Sequence, residues 1–385
     1  MESDDKHIAM EEWIKLSLPH LAGNENKYVT DAVDSTWITP LGPYVNRFEK
    51  LLDGFLGVDN VVALSAGTAA VHLALDILGV GKGDEVICQS MTFAASANPI
   101  VYLGGSPVFV DSEADTWNMD PALLRKAIEA RIAATSRKPK AIVVVDLYGM
   151  PAKMNEIIAV AQEYGIPVVE DAAEAIGSEY CGRKCGTIGR FGILSFNGNK
   201  MITTSGGGAL VCPDEASAKR ALFLATQARE NRPYYYHESI GYNYRLSNVS
   251  AAIGCAQMEV LPDRIARRRA IHDIYVEMLR DNANVTVQCN PSSDFDSNYW
   301  LSTILLKDSS PVTADRLREL LAEHRIETRL LWRPMHMQPI YADAPAYLNG
   351  VSERLFDHGL CLPSSTTHSD EQIRRVAQLI NEYTA

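Results

Sequence analysis

Four stretches of this 385-residue chain carry side chains whose types and spacing could do chemistry. Ser65-Ala66-Gly67-Thr68 stands between the apolar run Val61–Leu64 and a helix-like segment. Small residues at such a junction let helix-terminal N–H groups approach a phosphate, and the helix dipole favours the anion. A plain helix cap at Ser65 or Thr68 fits the same residues. Met91-Thr92-Phe93 sets an aromatic ring after a second apolar run, where it can stack on a flat ligand or join the core. Glu170-Asp171-Ala172-Ala173-Glu174 closes a third run. An acid at the end of a buried strand is costly without a partner. Asp171 is either a surface or capping residue or a carboxylate facing a protonated ring nitrogen, as pyridoxal phosphate requires to act as an electron sink. Ser195-Phe196-Asn197-Gly198-Asn199-Lys200 places a lysine between two apolar strands, ahead of Thr203-Thr204-Ser205-Gly206-Gly207-Gly208. A lysine is ordinarily a solvated charge, but inside a cleft it can form a Schiff base and shuttle protons.

All four stretches sit where predicted strands end, which is where open α/β sheets bind ligands. The strands read from the sequence are Val61–Leu64, Val86–Gln89, Pro107–Asp111, Ala141–Asp146, Val168–Glu170, Gly192–Phe196 and Gly208–Cys212. Helices are expected at Thr68–Leu78, Ala94–Leu103, Pro121–Ala130 and Ala152–Tyr164. Strands this apolar, joined by helical crossovers, imply a mostly parallel sheet covered on both faces. The last two lack an intervening helix, which predicts a hairpin or an antiparallel edge. Two helical stretches follow, Asn248–Val260 and Asp263–Asp281, broken at Pro262. The row Arg264, Arg267, Arg268 and Arg269 reads as a solvated helix face rather than an anion site. A smaller α/β unit closes the chain, with strands at Leu301–Leu306, Ile326–Leu331 and Leu360–Leu362 and helices at Ala314–Arg325 and Asp370–Tyr383. The expected division is residues 1–260, an N-terminal arm and large domain, and 261–385, a linking helix and small domain.

Composition narrows the partners. Lys plus Arg number 36 and Asp plus Glu 48, a net charge of −12, which disfavours nucleic acid and anionic membrane surfaces. No apolar run approaches the length of a membrane span. The acidic start, Met1 to Lys6, shows no signal-peptide pattern. Seven scattered cysteines look like reduced thiols, so a cytoplasmic protein is expected. Gly79 to Asp84 fails both the P-loop and the dinucleotide pattern, because Gly83 follows Lys82 and the glycine spacing is wrong. Cys181 and Cys185 lack the further ligands of a zinc site, so no metal is expected.

The order of phosphate turn, aromatic, Asp and Lys, joined by Gly241-Tyr242-Asn243-Tyr244-Arg245-Leu246-Ser247, resembles the DegT/DnrJ/EryC1 family of pyridoxal phosphate (PLP)-dependent sugar aminotransferases. The resemblance runs from about Leu18 to the last helix and implies the fold type I of PLP-dependent transferases. It implies that Lys200 forms the Schiff base and that Asp171 partners the pyridine nitrogen. Phe93 would stack on the ring, and Gly67, Thr68 and Ser195 would hold the phosphate. Asn243 would reach the phosphate of a neighbouring subunit, so the working unit would be a homodimer with shared active sites. Glu174 stands near the cofactor hydroxyl, where many members have Gln or His. Lys200 sets the chain apart from the dehydratase branch, which has His there.

Trp37-Ile38-Thr39-Pro40-Leu41-Gly42, Thr226-Gln227-Ala228-Arg229-Glu230 and Ile326-Glu327-Thr328-Arg329-Leu330-Leu331-Trp332 are similar to one branch of that family. Pro334-Met335-His336-Met337-Gln338 and Leu360-Cys361-Leu362-Pro363-Ser364 add to the likeness. That branch aminates C4 of UDP-4-keto-6-deoxy-N-acetylglucosamine in bacillosamine-type synthesis. The likeness implies L-glutamate as donor, a nucleotide-linked 4-keto sugar as acceptor, and substrate contacts from Thr36, Trp37, Ile38, Thr39, Arg329, Leu330, Leu331, Trp332 and His336. Arg329 would suit a diphosphate and His336 a hydroxyl or acetamido oxygen, although a structural ion pair also explains Arg329. GDP-4-keto-6-deoxymannose amination is the rival chemistry, and a PLP-binding regulatory protein without turnover is the rival class.

Overall fold

A computed structural model describes residues 13–385; the acidic stretch Met1 to Lys6 lies outside the described residues. In chain order the strands are β1 (Val61–Leu64), β2 (Glu85–Gln89), β3 (Ser106–Val110), β4 (Ala141–Val145), β5 (Val168–Asp171), β6 (Glu179–Tyr180), β7 (Arg183–Lys184) and β8 (Phe191–Ser195). They continue with β9 (Gly208–Val211), β10 (Val285–Val287), β11 (Phe295–Asp296), β12 (Ser302–Leu306), β13 (Arg329–Leu330), β14 (Ala346–Tyr347) and β15 (Gly359–Leu362). The main sheet has the order β1-β9-β8-β5-β4-β2-β3-β14. Its strands β8, β5, β4, β2, β3 and β14 pair in parallel, and β9 runs antiparallel to both β8 and β1. The antiparallel strand therefore lies inside the sheet, and β1 forms its edge.

Strands β4 and β5 are buried along their whole length, as a sheet covered on both faces demands. Val143 and Val169 face a core shared with the helix Gly67–Ile77, while Ile142, Val144 and Val168 face one shared with the helices Pro121–Thr135 and Met154–Tyr164. Each such side chain, once fully buried, contributes about 1.5–3 kcal/mol relative to an exposed one.

A second sheet, β10-β12-β15-β13, packs against the helices Leu261–Leu279, Ala314–Glu323 and Asp370–Thr384. Only Arg329–Leu330 of the expected 326–331 strand joins it. Ile326 instead bridges Ile14, so the N-terminal segment is tied to this part of the molecule. Strand β14 returns to the large sheet beside β3.

Pro262 opens the helix Leu261–Leu279 at its first turn, where its missing N–H costs nothing. The arginine row on that helix is not a solvated face. Arg268 is 2% exposed and donates to the Trp300 carbonyl at 2.6 Å and Ser17 Oγ at 2.9 Å, and burial pushes its pKa down to about 9. Arg264, Arg267 and Arg269 bond the Leu21 carbonyl, Asp370 and Asp296. These arginines clamp the N-terminal segment and the 297–300 loop over the helix, which one sequence periodicity cannot show.

Candidate active site

The C-terminal ends of β1, β2, β5 and β8 open into a cavity of 740 Å³ lined by Gly67, Thr68, Phe93, Asp171, Glu174, Ser195 and Lys200. Trp300, Arg329, Leu330 and Trp332 close it from the side of the smaller sheet.

After β1 the chain turns at Ser65–Ala66 and enters the helix Gly67–Ile77. Ala66 is extended and offers no side-chain cap, so the first-turn N–H groups face the cavity uncapped. Close packing makes this turn: a Cβ on Gly67 would lie 3.3 Å from Ser195 Cβ, and one on Gly208 would lie 2.4 Å from both Ala66 C and Gly67 N. The small residues thus bring the helix start, Ser195 and β9 close together at the cavity, where a helix N-terminus favours an anion.

Asp171 ends β5 with its carboxylate buried. It accepts from Ser96 Oγ at 2.6 Å and from the Ala173 N–H at 3.2 Å. Burial raises its pKa, and these donors, with the charge of Lys200, oppose the rise. Lys200 follows β8 in a turn, its Nζ 2.9 Å from Glu174 Oε1 and 4.1 Å from the centre of the Trp300 ring. Glu174 is 4% exposed at its side chain, and its second oxygen accepts from the Tyr148 N–H at 2.7 Å. Burial raises its pKa as well, against the pull of Lys200 and the Tyr148 N–H. Phe93 is 59% exposed and meets Trp332 at 5.6 Å between ring centres, forming an apolar wall.

Tyr148, Ser96, Trp300 and Ser17 complete the site without any sequence signal that singles them out. Tyr148 has a φ of +56°, which aims its N–H at Glu174, while its hydroxyl accepts from the Trp332 N–H at 2.8 Å. Asn199 offers its carbonyl to Ser17 Oγ and to Trp300 Nε1, both at 2.8 Å, which holds Trp300 beneath Lys200.

Several expected residues lie elsewhere. Leu331 is buried in the core. His336 bonds Ser90 Oγ at 2.6 Å and Glu353 at 3.1 Å and does not line the cavity. Arg329 does reach the cavity, and it also pairs with Glu327 at 3.0 Å. Thr36, Trp37, Ile38 and Thr39 are exposed and do not line this chain's cavity. Asn243 is exposed too, bridged to Thr226, and the helix at Asn248 is capped by Ser247 rather than by Asn243. Cys185, Asp146 and Glu170 converge with ligand atoms within 4.8 Å of one another. Glu170 there receives the backbone N–H groups of Gly186, Ile188 and Gly189. No helix of the described residues is long and apolar enough to cross a membrane.

These residues fit pyridoxal phosphate. The site has an uncapped helix start that could hold the phosphate, a buried carboxylate that could face the ring nitrogen, a lysine that could bond the aldehyde and an aromatic wall. The fold and site define a PLP-dependent aminotransferase of fold type I. The chain belongs to the DegT/DnrJ/EryC1/StrS aminotransferase family, whose model matches residues 19–381, and it is a sugar aminotransferase of that family. It is 47% identical over 376 residues, 96% of each chain, to EpsN of Bacillus subtilis strain 168, whose name gives it provisionally as a pyridoxal phosphate-dependent aminotransferase. A GDP-perosamine synthase of Escherichia coli O157:H7 is 39% identical, with 96% of this chain and 98% of the relative covered. The crystal structure of a DegT/DnrJ/EryC1/StrS aminotransferase from Brucella abortus superposes with a TM-score of 0.88 at 31% identity, covering 94% of this chain and 95% of the other.

Proposed function

We propose that this enzyme moves the amino group of L-glutamate to the C4 ketone of a nucleotide-linked 4-keto-6-deoxy sugar. UDP-4-keto-6-deoxy-N-acetylglucosamine, giving the UDP-4-amino-4,6-dideoxy product, is the acceptor we favour. The carrying observation is that Lys200 and Arg329 line one cavity, a proton-handling amine together with a cation suited to a diphosphate. Bound in this cavity, pyridoxal phosphate supplies the electron-accepting ring and the carbon that carries nitrogen from donor to acceptor. Lys200 Nζ takes the α-proton of glutamate and, in the second half-reaction, delivers a proton to C4 of the sugar. Asp171 keeps a hydrogen bond on the ring nitrogen, and Ser96 orients its carboxylate. Gly67, Thr68 and Ser195 bind the phosphate, and Phe93 with Trp332 keeps water from the reacting face.

GDP-4-keto-6-deoxymannose is the second acceptor to consider, because a GDP-perosamine synthase is among the similar proteins. A turnover panel of UDP- and GDP-linked 4-keto sugars with glutamate decides between them. Amination of the UDP sugar supports the reading, and turnover of the GDP sugar alone replaces it. No 2-oxoglutarate formation with any nucleotide sugar would refute both.

We further propose a homodimer with shared sites, acting in the cytoplasm. All seven cysteines are free, in keeping with a reducing compartment. Tyr235 and Ile240, in the segment just before Asn243, are 79% and 84% exposed, apolar area that a second copy would cover. Asn248 ties Trp37 and Thr39 to the same region through bonds of 3.0 and 2.9 Å to their carbonyls. Thr36–Thr39 and Asn243 would then serve the neighbouring cavity. Mixing Lys200→Ala with Asn243→Asp chains, each inactive alone and shown to exchange subunits, should restore activity, since one mixed site carries neither lesion. Persistent inactivity would count against sharing.

A further inference from the structure

Within the cavity a reactive amine meets an acid at hydrogen-bond distance. Glu174 Oε1 lies 2.9 Å from Lys200 Nζ, and Oε2 receives the Tyr148 N–H at 2.7 Å. The titratable groups that face Glu174 come from four elements. They are Lys200 in the turn after β8, Asp171 at the end of β5, Tyr148 in the Leu147–Gly149 turn and Cys361 on β15. Lys200 supplies the positive charge that balances the carboxylate, while Asp171 adds a second negative one.

The chemistry of the cofactor removes that balance. Pyridoxal phosphate carries its aldehyde next to a ring hydroxyl, so a group that holds the lysine nitrogen from the hydroxyl side would also come within reach of that oxygen. When Lys200 bonds the aldehyde carbon, the ammonium gives up two protons, the aldehyde oxygen leaves with them as water, and one N–H remains on a charged nitrogen. That N–H would turn toward the adjacent ring oxygen, which is anionic. Glu174, 4% exposed at its side chain, would then lose the donor it held and face an anion. A second like charge there, with the charge of Lys200 drawn away, raises the carboxyl's affinity for a proton.

We propose that Glu174 takes up a proton when Lys200 engages the cofactor, and that it then donates a hydrogen bond to the cofactor's ring oxygen. The proton comes from solvent and stays on Oε1, while Oε2 keeps the Tyr148 N–H. The chain thereby loads its cofactor with a proton as co-ligand. A permanently neutral Gln at this position has no such requirement. The proposal rests on Lys200 being the point of attachment.

Titration calorimetry of the cofactor-free enzyme with pyridoxal phosphate, in buffers of different ionisation enthalpy, counts the protons. Wild type should take up about one proton per site more than Glu174→Gln, since the cofactor's own ionisation cancels in the difference. Its affinity should also fall more steeply with rising pH, by up to about tenfold per unit relative to the variant. Borohydride reduction and peptide mapping fix the attachment point in both proteins. Attachment at Lys200 with equal proton counts overturns the proposal alone, whereas a label on another lysine overturns the assignment of Lys200 with it. Should Glu174→Gln fail to fold, an infrared difference spectrum of wild type on cofactor addition decides. A new carboxylic-acid band supports the proposal, and its absence refutes it.

Discussion

Alanine at Gly208 would press a methyl group into the phosphate cradle from behind. The added Cβ falls 2.4 Å from Ala66 C and Gly67 N and 2.6 Å from the Ala66 carbonyl oxygen, where ordinary contact begins near 3.4 Å. About 1 Å of relief is therefore needed (3.4 − 2.4). Strand β9 cannot supply it, because Gly208 is laddered between Leu64 of β1 and Ser195 of β8. The turn at Ala66–Gly67 must move instead, carrying the first N–H groups of the helix with it. Overpacking of this kind costs about 1–3 kcal/mol of stability. A shift of that size breaks at least one charge-assisted bond to the phosphate, worth about 1.5–3 kcal/mol, so cofactor affinity should fall about 10- to 100-fold. Gly206→Ala is the matched control, since a Cβ there meets nothing within 4 Å. The assay is the dissociation constant of pyridoxal phosphate by absorbance, with a melting curve on each variant. If Gly208→Ala melts lower but binds the cofactor as wild type and Gly206→Ala do, the phosphate is not held at Gly67.

Three further outcomes are expected. Borohydride reduction of the loaded enzyme should leave pyridoxyl-lysine at Lys200, and Lys200→Ala should keep the wild-type circular dichroism while losing transamination. Asp171→Asn keeps the Ser96 contact but removes the charge, so both half-reactions should slow by about 3 kcal/mol of barrier or more. Stopped-flow showing only the sugar half-reaction slowed would contradict that role. Asp146 is buried, with Oδ2 unpartnered, and burial followed by the charge of Glu170 raises its pKa well above 3.8. The unfolded chain ionises this group first, so its contribution to stability falls as pH climbs from about 4 through the folded value. Asp146→Asn keeps an acceptor for the Ala152 N–H and cannot ionise, so it should melt higher than wild type at pH 8, with the gap closing at pH 4. Parallel melting curves across that range would show that Asp146 does not titrate in this way.

Local rules carried much of this protein. Short apolar runs marked β1 to β5, β8 and β9 to within a residue or two, because strands buried on both faces are built mostly from apolar side chains. The turn chemistry placed Gly67, Asp171 and Lys200 at strand ends, and a parallel sheet points those ends the same way, so their convergence followed from the class of fold. What no local pattern contains is the partner of a side chain distant in sequence. Arg268 reads as one more charge on a helix, yet it is buried by Ser17 and Trp300, which reach it only after the N-terminal segment and the 297–300 loop close over it. The insertion of β9 between β8 and β1 is likewise a matter of which edges meet. The resemblance set Glu174 near the cofactor hydroxyl, but its 2.9 Å contact with Lys200, the Tyr148 N–H on its other oxygen and its burial belong to the assembled site. Chain connectivity selects residue types, whereas burial and hydrogen-bond geometry, which set a carboxyl's proton affinity, exist only once distant segments pack.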